Sequence, residues 1–335
     1  MIEAVARAAM RWRIPEHELR QKAVRATLQA PNRFTPEALD FAINQQMGLL
    51  EGSRLRTWIG GRQVQSPCVV GVLCAGNVPF AGLQDLLAVT GGGHRYLGAV
   101  SRKSPVLLPA FAAEAGLDAR FVAPEEVWQG AEAIIVTGTD ATCAWAQTCA
   151  IQRGLSPNRC LLRGHRYSVA ILDGQENDRE KAQLAEDVLL HEGLGCRNVA
   201  IIWAPAGCQP DPYVEYFKYF RETFPTHPDT SAVLEVQQSL LEALAWPYVS
   251  GEAKGYLLSR GPPEPQGPGH VRWVSYTDLG TVEAWLTAHK NELQCVFARE
   301  SLTTAVSTET LGSAQRPALD WRPDGQDITA FLTSL

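Results

Sequence analysis

One recurring unit constrains this chain more than anything else in it: a short apolar run, a turn rich in glycine or hydroxyl residues, then a helical pattern. Cys68-Val69-Val70-Gly71-Val72-Leu73 is the first such run, bounded by Pro67 and Gly76 and continuous in the manner of a strand buried in a parallel sheet. It passes through Ala75-Gly76-Asn77-Val78-Pro79-Phe80 into a helix expected over 81–89. A second run, 95–100, leads through Ser101-Arg102-Lys103-Ser104-Pro105 to a helix at 106–115, and a third, 133–136, leads through Thr137-Gly138-Thr139-Asp140 to a helix at 141–152. This rhythm predicts a doubly wound α/β sheet of the nucleotide-binding kind. Such sheets bind ligands beyond the carboxyl ends of their strands, where Asn77 falls; the plain alternative is an asparagine that serves only the turn. No G-x-G-x-x-G fingerprint occurs, but Thr137-Gly138-Thr139 at a helix start offers backbone N–H groups to a phosphate.

A later stretch, Glu192-Gly193-Leu194-Gly195-Cys196-Arg197-Asn198-Val199, follows a helix pattern with Leu184, Val188 and Leu189 on one face and precedes an apolar run at 199–203. Cys196 therefore falls in a tight helix-to-strand turn, flanked by glycines and adjacent to Arg197. A nucleophilic thiolate needs such a presentation and a nearby positive charge. A buried structural cysteine is the competing reading. Elsewhere, 167–172, 271–274 and 295–298 read as strands, 213–224 as an aromatic-rich packing helix, and 260–270, rich in proline and glycine, as an exposed loop. Residues 1–58 read as helical and amphipathic, with Thr35-Pro36-Glu37 a good helix start, and suggest a surface or oligomer-facing cap.

The chain has 335 residues, 45% hydrophobic and 20% charged, which is globular and enough for two cores. A net charge of -6 gives no reason to expect nucleic acid as a partner. Residues 1–14 are too polar for a signal peptide, and no apolar run approaches the ~20 residues of a membrane span. Eight cysteines without a C-x-x-C pair suggest neither a disulfide framework nor a zinc site, so a cytoplasmic location is expected.

Together these segments resemble the aldehyde dehydrogenase superfamily, and within it the fatty acyl-CoA reductase branch typified by the reductase of bacterial bioluminescence. Gly76-Asn77-Val78-Pro79-Phe80 resembles the turn that supplies the oxyanion-binding asparagine. Ile135-Val136-Thr137-Gly138-Thr139 resembles the turn where the cofactor pyrophosphate rests. Gly193-Leu194-Gly195-Cys196-Arg197-Asn198-Val199 resembles the nucleophile segment, and Gly312-Ser313-Ala314-Gln315-Arg316-Pro317 with Asp324-Gly325 resembles the branch's tail. The resemblance covers about 65–335. It implies an aldehyde dehydrogenase-like fold, with two Rossmann-like open-sheet domains and an N-terminal helical segment. The expected divisions are a helical segment at 1–60, a cofactor-binding domain at 61–165, a catalytic domain at 166–310, and a tail at 311–335 returning towards the cofactor domain.

Departures from the family pattern sharpen the functional expectation. Ala99 stands where a lysine touches the adenosine ribose. Arg102, beside Ser101 and Lys103, replaces the acidic residue that repels a 2′-phosphate, a change that favours NADP(H). Leu161-Leu162-Arg163-Gly164 stands where the general-base glutamate is expected, and a reductase has no need of that base. The resemblance thus implies an acyl-CoA substrate, Cys196 as nucleophile, Asn77 as oxyanion donor, and Ser101, Arg102, Lys103, Thr137, Gly138 and Thr139 around the cofactor. His191 and Glu192 lie close enough in sequence to handle protons, or they solvate a helix end. A homo-oligomer remains a possible assembly. Two rivals stand beside this reading: a non-catalytic acyl- or partner-binding subunit, favoured by Ala99, and an aldehyde dehydrogenase working in the oxidative direction.

Overall fold

The computed structural model describes residues 1–61, 64 and 66–335. Two compact units emerge: residues 1–165 with 318–335, and residues 166–317.

The first unit is built on a five-stranded parallel sheet, sheet A. Its strands are β1 (Val69–Leu73), β2 (Arg95–Ala99), β3 (Ala119–Phe121), β4 (Ala133–Thr137) and β5 (Cys160–Arg163), in the spatial order β3-β2-β1-β4-β5. The chain starts in the middle, winds one way through β2 and β3, then returns to wind the other way. The order reverses between β1 and β4, so the loops after those two strands diverge and leave a crevice at their carboxyl ends. Before the sheet come α1 (Ile2–Trp12), α2 (Glu18–Leu28), α3 (Pro36–Leu49) and α4 (Gly52–Ile59). Thr35 caps α3 by accepting from the Ala38 N–H, with Pro36 in the first turn, as the sequence signals. Winding the sheet are α5 (Leu83–Gly91), α6 (Leu107–Glu114), α7 (Pro124–Gly130) and α8 (Asp140–Gln152).

Val70, Val72 and Tyr96 on one face of sheet A share a core with α5, α6 and the N-terminal helices, whose Val5, Trp12, Leu39 and Ile43 are buried in it. Residues 1–60 are therefore packed into this unit's core rather than laid over it as a cap. Leu97, Ile134 and Val136 on the opposite face pack against α7 and α8 through Val127, Trp128 and Ala146. Helices on both faces explain why these strands read as unbroken apolar runs.

The second unit carries sheet B. Its strands are β6 (Tyr167–Ile171), β7 (Val199–Pro205), β8 (Tyr248–Ser250), β9 (Leu257–Arg260), β10 (His270–Tyr276), β11 (Leu293–Ala298) and β12 (Glu309–Thr310). They lie in the order β12-β11-β6-β7-β10-β9-β8, all parallel except the edge strand β8. The helices α9 (Asp178–Leu189) and α10 (Asp211–Thr223) cover one face, and α12 (Leu279–Ala288) packs on the other through Val282 and Leu286. The helix α11 (Pro228–Ala243) packs on β9 through Leu234 and Leu241. Finally, α13 (Ile328–Thr333) returns to the first unit and adds Ile328 and Leu332 to its core. No helix among the described residues is long and apolar enough to cross a membrane.

Candidate active site

The turn after β1 is shaped by close approach. A Cβ on Gly76 would lie 2.2 Å from Ser101 Oγ, so the loops following β1 and β2 touch where only glycine fits. Asn77 follows, exposed. Phe80 closes the turn in the left-handed region (φ 57), which is strained for an aromatic residue. Trp12 meets its ring edge-on at 5.8 Å, and Phe111 meets both at 5.6 and 6.1 Å, which holds Phe80 there. Asn77 Oδ1 accepts a hydrogen bond from Lys103 Nζ at 2.9 Å. Lys103 thus turns towards Asn77, and Arg102, exposed like Lys103, makes no ion pair among the described residues. Ser101 Oγ is half-buried against Gly76 and accepts from the Lys103 N–H at 3.3 Å.

On the neighbouring strand, Thr137, Gly138 and Thr139 lead into α8. The Gly138 N–H donates to the Arg163 carbonyl at 3.1 Å, and Thr139 caps the helix by accepting from the Thr142 N–H. A phosphate at this end would therefore meet the first-turn N–H groups of Asp140 and Ala141, not that of Gly138. Asp140 subtracts from the attraction, because its carboxylate stands in the same turn and accepts the His165 N–H at 2.8 Å. A nicotinamide dinucleotide would have Arg102 and the open first turn of α8 to meet here. Lys103 and Gly138 are committed elsewhere, and Ala99 is buried. The fit is one of few contacts.

A feature the sequence reading missed lies beneath this edge. Asp85 and Arg163 are both buried and form an ion pair at 2.7 Å, while Arg163 Nε and Nη2 have no hydrogen-bond partner among the described residues. The signal was present as polar residues at core positions, Asp85 among the leucines of α5 and Arg163 closing an apolar strand. Near Asp85, Cys74 Sγ meets the Tyr96 hydroxyl at 3.7 Å, and burial pushes the Cys74 thiol up to about 12. That cysteine stays protonated and inert.

Cys196 belongs to the second unit. It is the exposed member of the eight cysteines, none of which is in a disulfide. The approach to it is a left-handed turn: His191, Glu192 and Gly193 have φ of 54°, 58° and 68°. Two of the three carry a Cβ, at about 1–2 kcal/mol each. The neighbours account for its persistence. The Glu192 carbonyl accepts from the Gly269 N–H at 2.9 Å, and its carboxylate faces Arg221 at 3.2 Å. Glu192 and His191 are both buried, so neither solvates a helix end as the sequence allowed. Burial raises the Glu192 carboxyl despite Arg221, and lowers His191 to about 4, which keeps the imidazole neutral.

Buried Asn198 ties the two sides of the Cys196 loop together. Its Nδ2 donates to the carbonyls of Asp187 and Leu190 at 3.0 and 2.9 Å, and its Oδ1 accepts from the Gly195 N–H at 2.9 Å. Ser168 Oγ donates to the Cys196 carbonyl at 2.9 Å and accepts from the Cys295 N–H at 3.1 Å.

Arg197 turns inward. Its guanidinium donates to Glu309 at 2.7 and 3.0 Å, to the Ala314 carbonyl at 2.7 Å and to Cys295 Sγ at 3.0 Å. Burial works against the charge on Glu309, but Arg197 outweighs it and holds that carboxyl below the ordinary range. Burial pushes the Cys295 thiol up to about 12. The segment after β12 is fastened a second time by Asp187, whose oxygens accept the Gly312 and Ala314 N–H groups at 2.6 and 3.1 Å.

No protein-family model matches the chain, and no curated protein matches it. Solved structures do. A candidate aldehyde dehydrogenase from Burkholderia cenocepacia superposes with a TM-score of 0.67 at 14% identity, over 90% of this chain and 74% of that one. The succinic semialdehyde dehydrogenase of Streptococcus pyogenes, solved in complex with NADP+, gives 0.63 at 11% identity, over 90% and 77%. The salicylaldehyde dehydrogenase of Pseudomonas putida G7, solved with salicylaldehyde, gives 0.62 at 13%, over 89% and 72%. At these identities the likeness establishes the fold: an α/β protein of the aldehyde dehydrogenase type, with parallel sheet A, mixed sheet B and Rossmann-like domains.

Proposed function

We propose that this protein is an NADPH-dependent acyl-CoA reductase that forms its aldehyde through an acyl-cysteine. The observation that carries the reading is Cys196, exposed on a loop fastened on both sides by Asn198 and held at its own carbonyl by Ser168. So much anchoring of a loop that presents one thiol suits a group that must be held in place.

In this reading the Cys196 thiolate attacks the thioester carbonyl carbon. The carbonyl electron pair moves to oxygen, where the Asn77 amide donates to it. Collapse expels the CoA thiolate and leaves the acyl group on Cys196. Arg102 and the first turn of α8 would hold the cofactor. When bound, it supplies hydride to the acyl carbon, and the aldehyde leaves as the Cys196 thiolate is restored. Leu161 stands at the position where the resemblance expects the general-base glutamate. With an aliphatic side chain in place of that carboxylate, the position offers no base to activate water, which favours reduction over hydrolysis.

The oxidative reading has the names of the similar structures in its favour, since those are aldehyde dehydrogenases. One experiment separates the two. Incubated with a panel of acyl-CoAs and no nicotinamide, the wild type should gain an acyl mass at Cys196 and release free CoA, and NADPH should then be consumed with aldehyde formed. Cys196→Ala should do neither while keeping its melting temperature. An adduct that persists in Cys196→Ala sinks the nucleophile assignment. Aldehyde oxidation to free acid without acylation by any CoA ester sinks the reductase.

A further inference from the structure

We infer that Lys103 is a positioning residue for Asn77: its ammonium sets which way the asparagine amide faces. The inference rests on the reading of Asn77 as an oxyanion donor. An ammonium group has donors only, so its contact at 2.9 Å identifies the Asn77 atom facing it as Oδ1 and turns the Nδ2 hydrogens away from the lysine. The Asn77 side chain makes no other hydrogen bond among the described residues. Without Lys103, no hydrogen bond among the described residues distinguishes the two faces of that amide, and half of its orientations would offer an incoming oxyanion a second oxygen.

The lysine is itself launched from a braced position. Its carbonyl accepts from Asn32 Nδ2 at 2.9 Å, and Asn32 also donates to the Thr27 carbonyl at 2.7 Å, so the connection between α2 and α3 grips the loop after β2. Its N–H donates to Ser101 Oγ, and Ser101 rests on Gly76. A Cβ on Gly76 would lie 3.1 Å from Lys103 Cβ, so the lysine stem starts beside the asparagine turn. The charge is not consumed elsewhere, because Lys103 makes no ion pair among the described residues. A cation on the amide oxygen polarises the amide and strengthens its N–H groups as donors, which is the property an oxyanion site needs.

Acyl transfer from CoA to Cys196 requires no nicotinamide, so this half-reaction separates the assignment from a role in cofactor binding. In the release of free CoA thiol, Lys103→Met should slow the single-turnover rate by about 10- to 100-fold with little change in the acyl-CoA concentration at half-saturation. Lys103→Arg should restore most of the rate. In an Asn77→Ala background, adding Lys103→Met should cost less than about twofold, because the residue acts through Asn77. An unchanged single-turnover rate in Lys103→Met, with affinity lost for NADPH and not for NADH, would show a phosphate ligand and overturn the inference.

If no CoA ester acylates the wild type, the proposed function has failed and the inference is decided by spectroscopy. In protein labelled with 15N-asparagine, the side-chain amide pair that Asn77→Ala removes should shift in Lys103→Met and return in Lys103→Arg. An amide pair indifferent to Lys103→Met overturns the inference whatever the enzyme does.

Discussion

Asp187 offers a prediction whose size follows from its surroundings. It is fully buried on α9, and its carboxyl oxygens accept the Gly312 and Ala314 N–H groups. Burial raises its pKa to about 7 from 3.8, against the pull of those two N–H groups. Between these values the folded protein holds a proton that the unfolded chain has lost. Stability contributed by this group is therefore fully present at low pH and declines as pH rises through the folded value. With one unit worth 1.36 kcal/mol, the decline between pH ~4.5 and pH ~8 comes to about 3 kcal/mol. Asp187→Asn keeps the shape, cannot titrate, and leaves one of the two N–H groups facing an NH2, at about 1–3 kcal/mol. Urea melts of wild type and variant, followed by tryptophan fluorescence across this range, should show wild type losing about 3 kcal/mol relative to Asp187→Asn as pH rises. Parallel pH profiles would mean that Asp187 is ionised throughout, and the reasoning from burial would fail.

Two further outcomes follow from charges at sheet A. Asp85→Leu should destabilise the protein by about 3–5 kcal/mol by leaving Arg163 buried and unpaired, whereas Asp85→Leu with Arg163→Leu should recover most of that loss in a thermal melt. Recovery of less than half would show that the pair contributes more than its own neutralisation. Arg102→Glu should weaken NADPH about ten- to hundredfold and leave NADH equal or better in a fluorescence titration, since only NADPH brings a phosphate to the guanidinium. An equal response of both cofactors would place Arg102 in water alone.

The architecture was legible where burial on both faces of a sheet produces unbroken apolar runs. β1, β2 and β6 lie within the runs read as strands, β4 and β7 begin with theirs and run one and two residues further, and α8 begins at the hydroxyl turn that announces it. The three residues of β3 and of β8 were too short to register, and α11 hid for another reason. Its Val236 and Leu240 are exposed while Thr230 is buried, so its apolar positions do not mark its inner face. At the candidate site, residue type announced charge but not direction. Arg102 and Lys103 are neighbours of like sign, yet one stands in water and the other bends to Asn77, because Gly76 lets the loops after β1 and β2 meet. His191 and Glu192 carry no mark of left-handed backbone, since nothing in a side chain with a Cβ advertises it.

The division of the chain has a consequence for how the molecule is made. The first unit is begun by residues 1–165 and completed only by 318–335, where Ile328 and Leu332 enter its core and the Leu332 carbonyl meets His94 Nε2 at 3.0 Å. The second unit is uninterrupted, so during translation it emerges whole while the earlier one still lacks its last helix. The part synthesised first is thus the part finished last, with the seat of α13 on α5 empty for the time a ribosome needs to add about 150 residues, on the order of ten to thirty seconds. In that interval Leu86, Leu87 and Val89 of α5, buried in the finished protein, wait beside an unfilled seat. Arrival of residues 318–335, and not emergence of sheet A, is then the event that closes the unit bearing Asn77.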